Sequence, residues 1–156
     1  ILFSNFEIRN YTMQKTQFYY HDRNPAIPKR KALKLFITNI FSKERKKLQA
    51  LSYIFCSDEY LLGINKEFLK HDFFTDVITF SLNEDKKVIK GEVYISVDRV
   101  KDNAKSEGVP FMEELHRVVF HGALHLCGYK DKSKNDVLVM RAKEDKNLKC
   151  YFKVSG

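Results

Sequence analysis

The sequence predicts an α/β fold of the α+β kind, a single domain over residues 1–156 in which a mixed sheet of about four strands is flanked by helices. Segments rich in β-branched and aromatic residues alternate with segments whose apolar residues recur at helical spacing. No internal repeat, low-complexity tract or Gly/Ser linker divides the chain. A chain of 156 residues is also long enough to bury one core without disulfides as staples.

The predicted elements follow one another in the order β, α, β, α, β, β, α, α, α. The first strand is predicted over residues 2–8, and a loop rich in turn-forming residues is predicted over residues 19–28. Pro28 suits the first turn of the next helix, and Gly128 ends the long apolar helix that follows Pro110. The remaining strands are predicted at residues 48–56, 77–82 and 88–97, and the helices at residues 29–41, 58–69, 98–106, 111–126 and 133–148.

Charge and composition limit the classes of function. The formal net charge is +8 and the isoelectric point is near 9.3, which fits an anionic partner such as nucleic acid and fits a merely solvated basic surface equally well. The three cysteines are widely spaced and odd in number, which indicates a reducing compartment and predicts a cytoplasmic protein. No segment approaches the roughly 18 consecutive apolar residues of a membrane span, so no membrane partner is predicted.

The segment HGALHLCGYKD, in the C-terminal part of the chain, contains the predicted functional site. His121 and His125 are four residues apart on a predicted helix, so their side chains share one face and can converge on one ion. Gly128 can end the helix in a left-handed conformation, and Asp131 then returns toward the same point as a third ligand. Three protein ligands with an open fourth position are typical of a catalytic site, and zinc is the expected ion. The alternative is a pair of packed or surface histidines before an ordinary helix end, with Asp131 as an exposed acid of the turn.

The residues around this segment narrow the chemistry. Gly122 stands where metalloproteases carry the glutamate that acts as general base, which argues against a peptidase. Glu114 lies seven residues before His121, near the same helix face. It could therefore contact a metal ligand, although a surface or capping role in the first turn of the helix fits this position better. His116 is off that face and fits a surface or packed position. Cys127 is interpreted as a small core residue rather than a ligand.

Three sequence blocks resemble one known family. The segment HGALHLCGYKDK resembles the signature H-G-x-L-H-L-x-G-Y-D-H of the YbeY endoribonucleases, which are bacterial ribosomal RNA maturation factors. Residues 62–80, LGINKEFLKHDFFTDVITF, resemble the family's L-N-x-x-Y-R-x-x-D-x-P-T-D-V-L-S-F block. Residues 91–96, GEVYIS, resemble its G-D-I-x-I-S strand. The blocks occur in the family's order, so the match is specific.

The resemblance implies an α/β fold, one zinc ion per chain and a single-strand-specific, metal-dependent endoribonuclease activity. The implied role is processing of small-subunit ribosomal RNA during ribosome maturation in the cytoplasm. The implied partners are ribosomal RNA, the small ribosomal subunit and ribosome-associated proteins. His121 and His125 fall on the family's first two metal-ligand positions. In such a hydrolase the metal would polarise a scissile phosphate or activate a bound water.

Two positions depart from the family pattern. Asp131 stands where most relatives have a third histidine, and because a carboxylate is a harder ligand, metal preference can shift toward manganese, iron or magnesium. Leu69 stands at the family's arginine, the natural candidate for holding a phosphate through its planar fork. Lys70 and His71 are the candidate catalytic residues that would replace it, although each also fits a solvated position at a helix end.

Further residues are candidates for RNA contacts. Thr75 and Asp76 are expected to line the cleft because the family motif holds them there, and locally they also fit a turn before a strand. Phe73 and Phe74 are candidates for base stacking, with core packing as the alternative. The basic residues expected to hold the phosphate backbone, or merely to keep the surface soluble, are Lys29, Arg30, Lys31, Lys34, Lys130 and Lys132.

Two other functions fit the same residues. One is a ribosome-associated RNA-binding factor with a structural metal and weak or no cleavage activity, which Leu69 supports. The other is an iron enzyme with two histidine ligands and one carboxylate ligand. The ligands of such iron enzymes usually come from separate strands, whereas His121, His125 and Asp131 belong to one helix and its turn.

Overall fold

The alternation of β-rich and helical segments produces four strands and five helices over residues 15–155, the part of the chain that the structure, a computed structural model, describes. The strands are β1 (Thr16–Tyr20), β2 (Lys47–Cys56), β3 (Val77–Ser81) and β4 (Val88–Ser96). The helices are α1 (Arg30–Lys43), α2 (Asp58–Leu69), α3 (Val97–Glu107), α4 (Phe111–Leu126) and α5 (Lys134–Ser155).

The four strands form one mixed sheet in the order β1-β2-β4-β3. β2 pairs in parallel with both β1 and β4, whereas β3 pairs with β4 in the antiparallel direction. Parallel neighbours need long crossover connections, and helices α1 and α2 lie in those connections. The predicted fold class is therefore confirmed: a mixed sheet of four strands flanked by helices.

The two faces of the sheet are covered by different helices. Tyr53 of β2 and Val93 of β4 point into the main core, to which α1, α3, α4 and α5 also contribute. Cys56 and Ile78 point to the other face, into a smaller core beneath α2. Helix α4, which carries His121 and His125, thus packs on one face of the sheet. Helix α2, in which the family-like block of residues 62–80 begins, packs on the other face.

The first part of the sheet differs from the prediction. The strand predicted over residues 2–8 lies outside the described residues, and the first described strand is β1. Tyr19 and Tyr20 belong to β1 and not to the predicted loop, because this strand pairs with residues 51–55 of β2. Tyr20 also stacks on Phe55 with ring centroids 5.5 Å apart. Such pairing depends on a distant part of the chain, which the local turn-forming residues do not reveal.

The last helix also differs from the prediction. α5 continues to Ser155, past the predicted end near residue 148, because Leu148 and Tyr151 are buried in the main core. The other helices and strands begin and end close to their predicted positions. No helix within residues 15–155 is long and apolar enough to cross a membrane.

Candidate metal centre and adjoining cleft

Two histidines of α4 and one aspartate of the following turn come together at the end of the helix. The imidazole rings of His121 and His125 have centroids 4.5 Å apart and planes that differ by 84°. Nε2 of His125 lies 3.1 Å from Oδ2 of Asp131, and Nε2 of His121 lies 3.4 Å from the same oxygen. One donor atom from each residue lies within 4.8 Å of the others, so the group could hold a metal ion.

Gly122 determines how closely α4 approaches the sheet. A Cβ atom at this position would lie 2.6 Å from Cγ1 of Val93 on β4, so a glycine is needed for this contact. The neighbouring His121 is therefore carried by a helix that packs tightly against the sheet. The glutamate that a metalloprotease has here would collide with β4, which adds a structural reason against a peptidase.

The turn after α4 directs Asp131 back toward the histidines. Gly128 has a positive φ of 107°, and its N–H donates to the carbonyl of His125 over 2.9 Å. The carbonyl of Tyr129 lies 2.8 Å from Nδ1 of His125 and can only accept a hydrogen bond. Nδ1 therefore carries a proton, and in the neutral ring Nε2 keeps the lone pair that faces Asp131.

A second carboxylate, that of Glu144 on α5, orients His121. Nδ1 of His121 lies 2.6 Å from Oε1 of Glu144. The other oxygen, Oε2, accepts a hydrogen bond from Nη1 of Arg117 at 3.2 Å and lies 3.5 Å from Nη1 of Arg141. Glu144 is buried, so these cationic partners offset the cost of its charge. Donation from Nδ1 to Glu144 leaves Nε2 of His121 directed at Asp131, which is how metal-binding histidines are commonly held.

Burial and nearby acids act in opposite directions on the pKa of His121. Burial lowers this pKa, whereas the hydrogen bond and charge of Glu144, together with the charges of Asp76 and Asp131, raise it, and the pKa is raised overall. The imidazole therefore lies among negative charges. These surroundings favour a positive charge at the site, whether a proton or a metal ion carries it.

Glu114 does not have the role that its position in the sequence suggested. It is buried rather than exposed, and its carboxylate lies 3.8 Å from Arg117 and not beside a metal ligand. Burial, with the charge of Glu107, raises its pKa. Glu144 takes the orienting position instead, and sequence reasoning missed it because no local spacing relates residues on α4 to residues on α5.

The two other residues near the signature pack as predicted. His116 is fully buried and stacks on Tyr151, with ring centroids 5.2 Å apart and an interplanar angle of 28°. Cys127 packs against the main core, and burial raises the pKa of its thiol to about 12. At neutral pH this thiol stays protonated, so it is a poor metal ligand.

A cleft of about 240 Å³ opens beside the metal-binding group. His125 and Asp131 contribute to one side of it, and the end of α2 and the loop before β3 contribute to the other. The loop is held by Asn65 of α2, a buried residue whose amide donates a hydrogen bond to the carbonyl of Phe73 at 2.8 Å. Further lining residues are Leu69, His71, Phe73, Thr75, Val77, Ile78 and Thr79.

The cleft contains some of the candidate RNA-binding residues. His71 and Phe73 both line it, and their rings stack with centroids 5.1 Å apart at an angle of 21°. Thr75 lines it as predicted, and Leu69 lines it at the position of the family's arginine. The cleft therefore offers a planar surface and polar groups, but among the described residues its lining includes no arginine or lysine.

Two candidates near the end of α2 lie away from the cleft. Lys70 ends α2 with a positive φ of 57°, and its Nζ donates to the carbonyl of Glu67 at 3.2 Å. Phe74 lies under the guanidinium of Arg99, 5.0 Å from its Cζ. Neither side chain is among those that line the cleft, and the catalytic role of Lys70 and the base-stacking role of Phe74 stay predictions.

Asp76 also lies outside the cleft, in a separate polar cavity of about 150 Å³ behind His121. Its Oδ2 accepts a hydrogen bond from the amide of Asn103 at 3.2 Å. Burial raises the pKa of Asp76 and the charge of Glu144 adds to this effect, while the charge of His121 opposes it. Asp76 therefore faces away from its neighbour Thr75, as successive residues of an extended segment do.

The basic residues form two groups. Arg30 and Lys34 of α1 lie beside β1, with Lys34 5.0 Å from the ring centre of Phe18 and Arg30 5.9 Å from that of Tyr20. None of the basic residues predicted on α1 lines the cleft. Lys130 and Lys132, in contrast, flank the candidate ligand Asp131 in the sequence.

The fold and the site define a class: an α+β protein with a metal-binding donor set of two histidines and a carboxylate beside an aromatic-lined cleft. Comparison with known proteins agrees with this class. The family model described as Endoribonuclease YbeY matches residues 18–151. The chain therefore belongs to the endoribonuclease YbeY family.

Several relatives are similar over most of their length. The chain is 47% identical over 131 residues to the endoribonuclease YbeY of Cytophaga hutchinsonii, covering 84% of this chain and 92% of that protein. It is 50% identical over 118 residues to that of Flavobacterium psychrophilum, covering 74% and 82%. The solution structure of TM1509 from Thermotoga maritima matches with a TM-score of 0.60 and 28% identity, covering 88% of this chain and 90% of that one.

Proposed function

We propose that the protein is a metal-dependent endoribonuclease that hydrolyses phosphodiester bonds of single-stranded RNA. The observation that carries the proposal is a three-residue metal-binding group beside a cleft in a member of the endoribonuclease YbeY family. We further propose that its substrate is small-subunit ribosomal RNA during ribosome maturation in the cytoplasm, with ribosome-associated proteins as partners. The net charge of +8 supports an RNA substrate. A single domain over all of residues 1–156 stays a prediction.

We propose that His121, His125 and Asp131 hold one zinc ion per chain. The donor chemistry fits, because Nδ1 of each histidine has an oxygen acceptor and Nε2 is left to face the aspartate. Two imidazoles and a carboxylate are a common ligand set for catalytic zinc. When bound, such an ion supplies Lewis acidity toward a phosphate oxygen and lowers the pKa of a water molecule.

The chain's own residues would bind and position the RNA. The stacked pair of His71 and Phe73 offers a planar surface on which an unpaired base can stack. A base held inside a duplex does not reach this surface. Because Leu69 cannot hold a phosphate, the positive charge for the backbone would come from Lys130 and Lys132 beside Asp131. His71 lines the cleft outside the three candidate ligands, and its imidazole can donate a hydrogen bond or move a proton at a phosphate oxygen.

Metal analysis and an RNA cleavage assay on the same samples test the proposal. Wild type is expected to contain about one zinc per chain and to cleave a labelled single-stranded RNA. His121→Ala, His125→Ala and Asp131→Ala should lose both the metal and the cleavage, whereas His21→Ala, an exposed histidine outside the site, should keep both.

Two outcomes would contradict the proposal. Unchanged metal content in all three site variants would remove the metal centre. A metal-loaded wild type that never cleaves single-stranded RNA, together with a Leu69→Arg variant that does, would show that the native chain is an RNA-binding factor.

A further inference from the structure

The turn that brings Asp131 to the histidines is anchored by a helix that carries none of the candidate ligands. Tyr129, within this turn, donates a hydrogen bond from its hydroxyl to Oε2 of Glu44 at 2.8 Å. Glu44 lies at the end of α1, 85 residues earlier in the chain. Its other oxygen, Oε1, accepts a hydrogen bond from Nζ of Lys143 on α5 at 2.9 Å. One carboxylate therefore joins α1, the turn and α5.

Helix geometry alone does not favour an acid at position 44. The backbone N–H of Glu44 donates to the carbonyl of Ile40 at 3.0 Å, so this residue lies at the C-terminal end of α1. Such an end carries partial negative charge and favours cations over carboxylates. Burial raises the pKa of Glu44, but hydrogen bonds from Lys143 and Tyr129, with the charge of Lys143, lower it more. The two contacts thus compensate for an unfavourable place in the helix.

The three side chains form one compact group, which we call the Glu44 cluster: Glu44, Tyr129 and Lys143. Nζ of Lys143 lies 5.2 Å from the ring centre of Tyr129, in addition to its contact with the carboxylate. The ring of Tyr129 is partly buried against the main core. Its backbone N–H donates to the carbonyl of Leu124 at 3.1 Å. Both the side chain and the backbone of Tyr129 are therefore fixed.

The same tyrosine holds a candidate metal ligand through its main chain. The carbonyl of Tyr129 lies 2.8 Å from Nδ1 of His125. Since this carbonyl and the anchored hydroxyl belong to one residue, loss of the anchor lets the carbonyl move away from the imidazole. Glu144 orients His121 by direct contact. The Glu44 cluster stands in a similar relation to His125, with Tyr129 between them.

We propose that Glu44 is a positioning residue for the candidate metal ligand His125 and that it acts through Tyr129. The inference rests on the metal centre of the proposed function. With the hydroxyl of Tyr129 fixed, its carbonyl keeps the proton of the neutral imidazole on Nδ1, and the lone pair of Nε2 stays directed toward Asp131. Without this anchor the turn relaxes, and the proton can move to Nε2, where it donates to Asp131.

Three variants change the Glu44 cluster in different ways. Tyr129→Phe removes the hydroxyl and keeps the ring, and Glu44→Ala removes the acceptor. Glu44→Gln keeps both contacts without the charge, because its amide oxygen can accept from Lys143 while its N–H donates to the hydroxyl of Tyr129. Glu44→Gln is therefore the conservative variant that should restore the positioning.

Asp98→Ala is the matched control, because Asp98 also accepts one hydrogen bond from a cation and one from a neutral donor. These donors are Nε of Arg23 at 2.9 Å and the backbone N–H of Asp58 at 3.0 Å. None of these residues lines the cleft or belongs to the metal-binding group. Asp98→Ala should lower the urea midpoint of unfolding and keep native zinc affinity.

Competition with a chromophoric chelator measures the affinity for zinc. Glu44→Ala and Tyr129→Phe should each weaken zinc binding about three- to tenfold, less than the loss of a direct partner of a ligand histidine. The double variant should lose no more than the weaker-binding single variant, because both changes remove the same contact. Glu44→Gln should bind zinc like wild type.

The ¹⁵N chemical shifts of the ring nitrogens of His125 give its tautomer in the metal-free protein, at a pH where the ring is neutral. Wild type, Glu44→Gln and Asp98→Ala should carry the proton on Nδ1. Glu44→Ala and Tyr129→Phe should carry a larger share of it on Nε2. A contact that only stabilises the packing of α1 against α5 would lower the urea midpoint and leave this tautomer unchanged.

Several results would overturn the proposal. One is native zinc affinity with an unchanged His125 tautomer in Glu44→Ala, and the same result in Tyr129→Phe counts even where Glu44→Ala does not fold. Additive losses in the double variant would show that Glu44 does not act through Tyr129. An equal loss of zinc affinity in Asp98→Ala would show that affinity follows overall stability. A wild type that binds no zinc would refute the metal centre of the proposed function, and the tautomer in the metal-free variants would still decide the role of Glu44.

Discussion

Replacing Glu144 with glutamine should weaken metal binding, because the side chain then has too few acceptors. In the native chain one carboxylate oxygen faces Nδ1 of His121 and the other accepts a hydrogen bond from Arg117. Glutamine has nearly the same shape but only one oxygen, so it can serve only one of these donors. If that oxygen turns to Arg117, the amide N–H faces Nδ1 of His121 and favours the tautomer with the proton on Nε2, the atom that should bind the metal.

The expected loss is about 10- to 100-fold in metal affinity, the usual effect of removing a partner that orients a histidine ligand. This range corresponds to about 1.4–2.7 kcal/mol. It is consistent with the net contribution of a hydrogen bond to a charged group, about 1.5–3 kcal/mol. Because Glu144 raises the pKa of His121, the same variant should lower that pKa in the metal-free protein.

Two measurements on Glu144→Gln check the expectation. Competition with a chromophoric chelator gives the affinity for zinc, and the ring signals of His121 followed against pH in the metal-free protein give its pKa. The control is Glu114→Gln, which changes another buried carboxylate near Arg117 that does not touch a candidate ligand. A folded Glu144→Gln variant with native zinc affinity and an unchanged His121 pKa would refute the orienting role.

Three further predictions concern stability. Gly122→Ala should lower the free energy of unfolding by about 1–3 kcal/mol, because the added methyl group collides with Val93. Adding Val93→Ala to this variant should restore part of the lost stability. A urea midpoint of Gly122→Ala equal to that of wild type would contradict this contact. Burial raises the pKa of Glu114, so the ionised carboxylate destabilises the folded protein. This loss of stability develops as pH rises from the usual pKa of glutamate through the raised pKa of the folded state. Glu114→Gln should therefore be more stable than wild type above that range, and parallel unfolding-versus-pH profiles would contradict this. Gly63→Ala should raise the free energy of unfolding by about 0.5–1 kcal/mol, because alanine favours a helix more than glycine does and the added methyl group of α2 meets no other atom within 4 Å. A lower urea midpoint would contradict this expectation.

The metal-binding group could be predicted from the sequence because its geometry is local. The four-residue spacing of His121 and His125 places both on one helical face, and Gly128 turns the chain so that Asp131 returns to them. The structure brings these three side chains together. The cleft was predicted less directly, from a block of sequence that resembles a family motif. The positions of Asp76 and Phe74 outside the cleft show that a motif does not tell which way each side chain points.

Contacts between distant segments could not be predicted in the same way. β1 was missed because its pairing partner on β2 lies far along the chain, and because its last two residues lead directly into a turn-rich loop. Glu144 was missed because it meets His121 only where α5 packs against α4. The cavity between α2 and the outer face of β3 and β4, lined by acidic and aromatic residues, likewise joins segments that share no sequence pattern.

The sequence by itself determined the elements whose signal is periodic, the three ligands carried by one helix and its turn, and the family resemblance. Only the tertiary structure decided which acid orients His121, which aromatic residues face the cleft, and that the opposite surface of α2 is negatively charged. The physical reason is the range of the interactions. Helix periodicity and a glycine turn act within a few residues, whereas a buried ion pair, strand pairing and a groove between a helix and a sheet form only when distant segments pack together.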